Sequence, residues 1–363
     1  MDNINFTYMT KDHYKVIALM SGTSLDGIDI IYTEFQKKDD WSFKILNFQT
    51  VPYSKKWKEI LKSLTQQSKN DLIKIDKLYS KYLGEVVREF VYNESISNFD
   101  FIASHGHTAI HKPGEKYTYQ IGNQQIFADT VNKKVICDFR VQDVEFGGQG
   151  APLVPIGDKL LFSDYDCCIN LGGFSNISLD EDNERIAFDI CPVNIVLNYY
   201  VSKLDLDYDN NGNIAKTGKV NYQLLDELNG IDFYKKHPPK SLGLEWVEEH
   251  IFPLIDINKI PVKDILRTFV EHCAIHISRH LKKKSTRALF TGGGVYNSFL
   301  IERIVEYSNT EVVIPDKTII EFKEALIFGL LGVLKERNEI NCLKSVTGAI
   351  TDHSSGVVLL PRN

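Results

Sequence analysis

Polar and apolar positions along the chain change period several times, and each change marks an element. Residues 14–35 read as two apolar strands around the polar turn "SGTSLDG", and "WSFKILNFQTVPY" (41–53) has the pattern of a third strand. Helical spacing then takes over in "NDLIKIDKLYSKYLGEVVREFVYN" (70–93), where Leu72, Ile75, Tyr79, Leu83, Val86 and Phe90 share one face behind an Asn-Asp cap. "FDFIASHGHT" is a buried strand running into a polar loop, and "TYQIGNQQIFADTVNKKVICDF" reads as turn, short helix and strand. Past the Gly/Pro-rich "GGQGAPLVP" (147–155) the opening pattern returns: "DCCINLGGFSNISLD" is again apolar strand, polar turn, apolar strand. This echo predicts two related halves, each presenting a strand–turn–strand. Pro261 opens a long helix, "VKDILRTFVEHCAIHISRHLKKK"; "TRALFTGGGVYNSFLIERIVEY" is strand, glycine run and helix; "TIIEFKEALIFGLLGVLKERN" is a last apolar-faced helix. No linker is long enough to make the halves independent.

Composition narrows the class without adding chemistry. A chain of 363 residues with 43% hydrophobic and 25% charged residues is globular rather than disordered. The net charge of −6 argues against a nucleic-acid or anionic-membrane partner, and the basic run "HLKKKSTR" (280–287) suits a helix end, where cations complement the dipole. No apolar run reaches the ~18 residues of a spanning helix, and the first fifteen residues are too polar for a signal-peptide core. Six scattered cysteines (137, 167, 168, 191, 273, 342) without a CxxC pair fit a reduced, cytoplasmic protein. His272, His276 and His280 share a helix face at metal-ligand spacing, but no carboxylate or cysteine sits at a matching position, so a packed stripe is expected.

Candidate chemistry lies in three glycine turns at strand ends. In the first, Gly22 and Gly27 let backbone N–H groups approach an anion, Ser21, Thr23 and Ser24 add donors, and Asp26 can hold Mg²⁺ or order its waters. The same residues also suit a plain polar hairpin, and the lysine of a Walker A loop is missing. Gly172, Gly173, Ser175 and Asn176 form a second such turn. Gly292, Gly293, Gly294 and Asn297 form a third, which opens a helix and offers a flat face to a base or ribose. Together they suggest two phosphate clamps and a nucleoside platform. For an acceptor, His105, His107 and Thr108 follow one buried strand, and Asp138, Arg140 and Asp143 follow another. Asp189 follows a third, and carboxylates at strand ends line clefts in open α/β sheets. It has two readings: a general base for phosphoryl transfer, or a structural cap of the helix "VNIVLNYYVSKL".

Read together, "MSGTSLDGID", "SHGHT", "QIGN", "DFRVQDVEFGGQGAPLVP", "NLGGFSNIS", "TGGGVYN" and "SVTGA" resemble the anhydro-N-acetylmuramic acid kinase family, in order, from residue 16 to 349. The resemblance implies an α/β, two-lobed actin-like ATPase fold, a duplicated ribonuclease H-like unit with a central nucleotide cleft. The lobes would be residues 1–137 with 325–363, and 138–324. It implies ATP and Mg²⁺ as cofactors, a homodimer, and an anhydro-sugar substrate whose 1,6-anhydro ring is opened and phosphorylated in murein recycling. The family's catalytic aspartate, in "(F/Y)DTGPGN", falls on Asp189 in "FDICPVN". The first two turns would hold phosphate, with Asp26 near the metal; Gly292–Gly294 and Asn297 would contact adenosine; His105, Thr108, Arg140 and Asp143 would meet the sugar. The chain departs from the family's pattern at Cys191 and Val193 (two glycines), Asn198 (an aspartate), His107 (an amide) and "PKSLGLE" (an arginine lost), all on the acceptor side. A kinase of another sugar and a non-catalytic nucleotide-binding switch are the competing readings; the fold permits both.

Overall fold

His13–Met20 (β1), Gly27–Lys37 (β2) and Trp41–Pro52 (β3) form an antiparallel meander in the computed structural model, which describes residues 11–22, 25–281 and 287–362. Phe101–Ser104 (β4) runs parallel to β1 on its other side. His107–Lys112 (β5) and Tyr117–Ile121 (β6) make a separate hairpin, and Val135–Cys137 (β7) lies parallel to β4. The strand Val357–Leu359 closes that edge antiparallel to β7. From Val16 to Met20 β1 is apolar and buried because both its faces are covered. Ile17 and Leu19 join a core with Leu72, Tyr79, Leu83 and Phe90 of the helix Lys69–Asn93. On the opposite face the helix Lys317–Glu336 comes so close at Gly329 that an added Cβ would stand 3.1 Å from that of Ala18.

Residues 162–321 form a second compact unit, the first comprising 1–161 with 322–363. In it Cys167–Leu171 (β8), Phe174–Glu181 (β9) and Glu184–Pro192 (β10) repeat the meander. Arg287–Thr291 (β11) runs parallel to β8 and Glu311–Val313 (β12) parallel to β11. The core gathers Ile169 and Leu171 of β8 with Leu266, Phe269, Val270, Cys273 and Ile277 of the helix Val262–Leu281.

The strand orders β3-β2-β1-β4-β7 and β10-β9-β8-β11-β12 are one topology used twice, with identical senses of pairing. This is the duplicated ribonuclease H-like order, so the actin-like fold class stands. The first unit extends through Leu161 and resumes at Phe322, beyond the expected ends at 137 and 325. Packing explains the difference: Gly157, on the helix Val154–Leu161, lies so near Ile327 that a Cβ would come within 2.5 Å of its side chain.

The histidine stripe packs, as its spacing without partners suggests. His272 Nδ1–H and His276 Nε2–H both donate to Asn229 Oδ1 (2.8 and 3.0 Å), and His276 stacks on Tyr234 with centroids 3.9 Å apart. All six cysteines are buried thiols outside any disulfide. Lys282–Thr286, the middle of the basic run, lie outside the described residues. No described helix is long and apolar enough to cross a membrane.

Candidate active site

The carboxyl ends of β1, β4 and β7 emerge along one edge of the first sheet, the edge at which open α/β sheets bind ligands. Ser21, just past β1, is buried; its Oγ lies 2.5 Å from Tyr53 Oη, 3.0 Å from Tyr79 Oη and 2.8 Å from His107 Nδ1. The two tyrosine hydroxyls are 2.6 Å apart. With Tyr79 donating to Ser21, a single proton arrangement makes all four bonds. Ser21 donates to Tyr53, Tyr53 to Tyr79, and His107 Nδ1–H to Ser21. Burial pushes Tyr53 up to about 12 and Tyr79 well above its usual range, so both stay protonated. The Ser21 hydroxyl is therefore turned inward, into a closed ring, instead of toward a phosphate.

Thr23 and Ser24 lie outside the described residues. Beyond them Leu25 takes a left-handed φ of 61° and its N–H reaches the Gly22 carbonyl at 3.4 Å. Asp26 is exposed, and its carboxylate makes no hydrogen bond or ion pair among the described residues. A Cβ at Gly27 would meet the Val51 carbonyl oxygen at 2.5 Å, so glycine is required where the turn enters β2.

His105 and Arg140 meet at the ends of β4 and β7. His105 Nδ1–H donates to the Gly106 carbonyl (2.9 Å), and its bare Nε2 accepts from Arg140 Nε (2.8 Å). Burial, then the guanidinium beside it, holds His105 well below the usual range, so the imidazole stays neutral. Arg140 Nη1 also donates to the Gly150 carbonyl (2.6 Å). Thr108 is half-buried on β5, opposite Gln120. Asp143 does not join this group. It is fully buried, with Oδ2 accepting from Gly150 N–H and Oδ1 from Thr347 Oγ1, both at 2.7 Å. Asp138 is held at a left-handed φ of 57°, with Oδ1 buried and unpartnered; desolvation pushes its carboxyl up to about 6. Sequence reasoning missed Glu324, solvent-accessible yet raised by desolvation against the opposing pull of Arg140. Its signal was an acidic residue at the head of the apolar run "ALIFGLL".

The hydroxyl ring carries a pH prediction. Burial lowers His107 to about 4, so between that value and an unfolded value near ~6.5 the folded state binds fewer protons than the unfolded one. Its contribution is complete above ~6.5 and is lost as pH falls toward 4. His107→Gln keeps a donor for Ser21 and removes the titration. The stability lost between pH 7 and pH 5 in urea unfolding is then about 2 kcal/mol smaller in the variant than in the parent. Equal losses would remove His107 from the acid response. His272 (about 3) and His276 (about 2) act in the same direction in the other unit and are common to both proteins.

In the second unit the β8–β9 turn occupies the same topological place as the β1–β2 turn. The Gly173 carbonyl accepts from Val193 N–H (2.8 Å) and Ile195 N–H (3.2 Å), latching the turn to the start of the helix Asn194–Val201. Asn176, exposed on β9, is the register partner of Asp189 on β10. A register shift between Asp189 and Cys191 re-aims the strand there. Asp189 Oδ2 accepts from Leu242 N–H at 2.8 Å, and the Asp189 amide donates to the Lys240 carbonyl at 3.1 Å. Burial raises its carboxyl and the Leu242 amide partly offsets this. The capping reading fails: Val193 occupies the N-cap position, and no side chain caps that helix.

The glycine run packs onto β8. With φ of +82°, Gly292 would put a Cβ 2.5 Å from Asn170 Oδ1, and Gly294 would put one 2.7 Å from Leu171 Cβ. Gly293 faces open space and leaves a flat surface. Asn297 Oδ1 is occupied in capping the helix Ser298–Tyr307 through Leu300 N–H (3.0 Å). Gly172, Gly173, Asn176, Asp189 and the glycine run thus gather where β8 and β11 end, while the Asn297 side-chain oxygen serves the helix.

A family model described as anhydro-N-acetylmuramic acid kinase matches residues 14–361. The chain belongs to the anhydro-N-acetylmuramic acid kinase family. A Sulfurimonas denitrificans protein of that name is 31% identical, covering 94% of this chain and 98% of its own; one from Bacillus cereus is 33% identical, covering 95% and 99%. Among solved structures, the (R)-2-hydroxyglutaryl-CoA dehydratase component A of Acidaminococcus fermentans is 11% identical with a TM-score of 0.46, covering 89% of this chain and 99% of its own. Against the anhydro-N-acetylmuramic acid kinase pattern, the departures are absorbed locally. Val193 and Cys191 are both fully buried, the latter with Sγ 3.4 Å from Ser175 Oγ. His107 supplies a donor where that family has an amide. Leu242 reaches Asp189 through its backbone, so its side chain leaves that bond unchanged. Asn198 and Leu244 are exposed.

Proposed function

We propose that the chain is an ATP-dependent kinase that opens the 1,6-anhydro ring of anhydro-N-acetylmuramic acid with water and phosphorylates O6. The product is N-acetylmuramic acid 6-phosphate, in murein recycling and amino-sugar catabolism. One observation carries this reading: Asp189 sits at a strand bulge, partly desolvated, one oxygen fixed by Leu242 N–H and the other without a hydrogen bond among the described residues. A carboxylate held this way is a general base with a defined free lone pair. Asp189 takes a proton from water as the water oxygen bonds to C1; the C1–O6 bond breaks, and O6 takes the γ-phosphoryl group as that group's bond to the bridging oxygen breaks and ADP leaves. Gly172, Gly173 and Asn176, with Gly22 and Gly27 of the first turn, serve the phosphates, and Gly292–Gly294 the nucleoside. His105, Thr108 and Arg140 serve the sugar, the neutral imidazole orienting the guanidinium. Asp26 fits Mg²⁺, since an exposed unpaired carboxylate is what an ion that keeps its waters and binds phosphate requires. Bound there, Mg²⁺ would neutralise charge on the phosphates. We also assign the protein to the cytoplasm, as the reduced cysteines favour, and to a homodimer, as the family resemblance favours.

The test is mass spectrometry of the product formed in ¹⁸O-water. Label on the anomeric oxygen with phosphate on O6 is the expected result. Phosphorylation of the open sugar alone, with the anhydro-sugar untouched, would make the chain an ordinary sugar kinase.

A further inference from the structure

Asp143 stands apart from the other acceptor-side residues because it faces a different group. Within the first unit, one donor atom each from Asp143, Cys342 and His353 lies within 4.8 Å of the other two, and all three residues are buried. We propose that these three side chains form a binding site for a thiophilic divalent transition metal of the zinc class, separate from the kinase's own magnesium.

His353 gives the first argument. Its Nδ1 is 3.0 Å from the Thr351 carbonyl, which can only accept, so Nδ1 carries the proton. Its Nε2 is buried and without a hydrogen-bond partner, 3.5 Å from Asp143 Oδ1. A carboxylate oxygen and a ring nitrogen held at that distance in a dry interior, with no hydrogen bond between them, make a place for a cation. That separation matches the ~3.3 Å edge of a tetrahedron with metal–ligand bonds of ~2.0–2.1 Å.

The surrounding bonds supply the second argument, because they already have the form of an outer ligand shell. A metal-bound histidine typically donates its other N–H to a carbonyl, and ligating carboxylates are themselves hydrogen-bonded. Here Thr351 takes the His353 proton, while Gly150 N–H and Thr347 Oγ1 hold the two oxygens of Asp143. Cys342 and His353 face each other across an isolated antiparallel bridge, each N–H bonded to the other's carbonyl at 3.0 and 3.2 Å, so their spacing is fixed by backbone. Phe146 packs edge-on against the imidazole at 4.9 Å and sets its plane. One sulfur, one imidazole and one carboxylate suit zinc-class ions and disfavour magnesium or calcium, which take oxygen ligands. Three protein ligands leave a fourth position for water. The ion would tie the segment 341–355 to the loop that holds Arg140 through the Gly150 carbonyl.

The full chain, stripped with chelator and desalted, is titrated with Zn²⁺ and separately with Co²⁺. One Zn²⁺ per chain retained through gel filtration is expected, and the Co²⁺ form shows a thiolate-to-metal charge-transfer band with tetrahedral d–d absorption. Cys342→Asn removes that band, and His353→Gln weakens Zn²⁺ binding by at least ~100-fold. Thr347→Val, which removes the hydroxyl that holds Asp143 Oδ1 without touching a proposed ligand, weakens binding by ~10- to 100-fold. Retention of under about a tenth of an equivalent by the unmodified chain overturns the site, as does a charge-transfer band that survives in Cys342→Asn. Both readouts are independent of phosphorylation, so they stand or fall apart from the kinase reading.

Discussion

Asp189→Asn lowers kcat by about 10³- to 10⁴-fold while ATP binding and melting temperature stay close to those of the parent. The amide is nearly isosteric, and its oxygen still accepts the Leu242 N–H that fixes the residue. What it loses is the ability to take a proton from water. Removing a carboxylate that burial disfavours costs little stability. With Asp189 as the proposed base, activity in the parent requires the ionised carboxylate, and desolvation moves its titration above the usual carboxylate range. Turnover therefore falls as pH drops through that raised value, and the variant's residual rate lacks this limb. Steady-state kinetics over pH, with a nucleotide-binding assay alongside, decides the matter: an Asn variant within about tenfold of the parent ends the general-base role.

Asp76→Ala destabilises the first unit by about 3–5 kcal/mol. Asp76 is fully buried on the helix Lys69–Asn93 and accepts four hydrogen bonds: Gly122 N–H (2.7 Å), Tyr119 Oη (2.7 Å), Gln124 Nε2 (2.5 Å) and Ser80 Oγ (3.2 Å). Removing the carboxylate strands several donors away from water, and each such donor costs ~1–3 kcal/mol. The turn it holds, "QIGN" at 120–123, sits against Gly106, where a Cβ would lie 2.5 Å from the Ile121 carbonyl. The damage spreads to His105 and His107 on either side of that glycine. Hydrogen exchange by mass spectrometry reads this directly: protection falls across 101–121 and is unchanged in 262–281. A uniform loss, or none, would assign Asp76 a lesser part.

What the sequence made legible is local. Apolar runs around a polar turn from 14 to 35 and helical spacing from 70 to 93 set the elements, because run length and period decide which faces are buried. The echo between the two glycine turns is topological, since both join a central strand to its antiparallel neighbour. The motif "FDICPVN" marks Asp189 as the candidate base. Other roles depend on partners no periodicity connects. Ser21 looks like a phosphate donor until Tyr53, Tyr79 and His107, up to 86 residues away, close a ring around its hydroxyl. Asp143 looks like a cleft carboxylate beside Arg140, but its partner Thr347 arrives 204 residues later. Asn297 reads as a ligand contact and is a helix cap.

The way the second unit interrupts the first bears on how the chain emerges from a ribosome. Every strand and core helix of the second unit has been synthesised by residue 321, whereas the first still lacks the helix residues that cover Ala18 and the edge strand that pairs Leu359 with Val135. At ~5–20 residues per second, the second unit is complete for some seconds before the first can be. During that interval the apolar face of β1 and β4 that Gly329 and Gly332 later cover is open to water, and nascent-chain chaperones have their clearest target there.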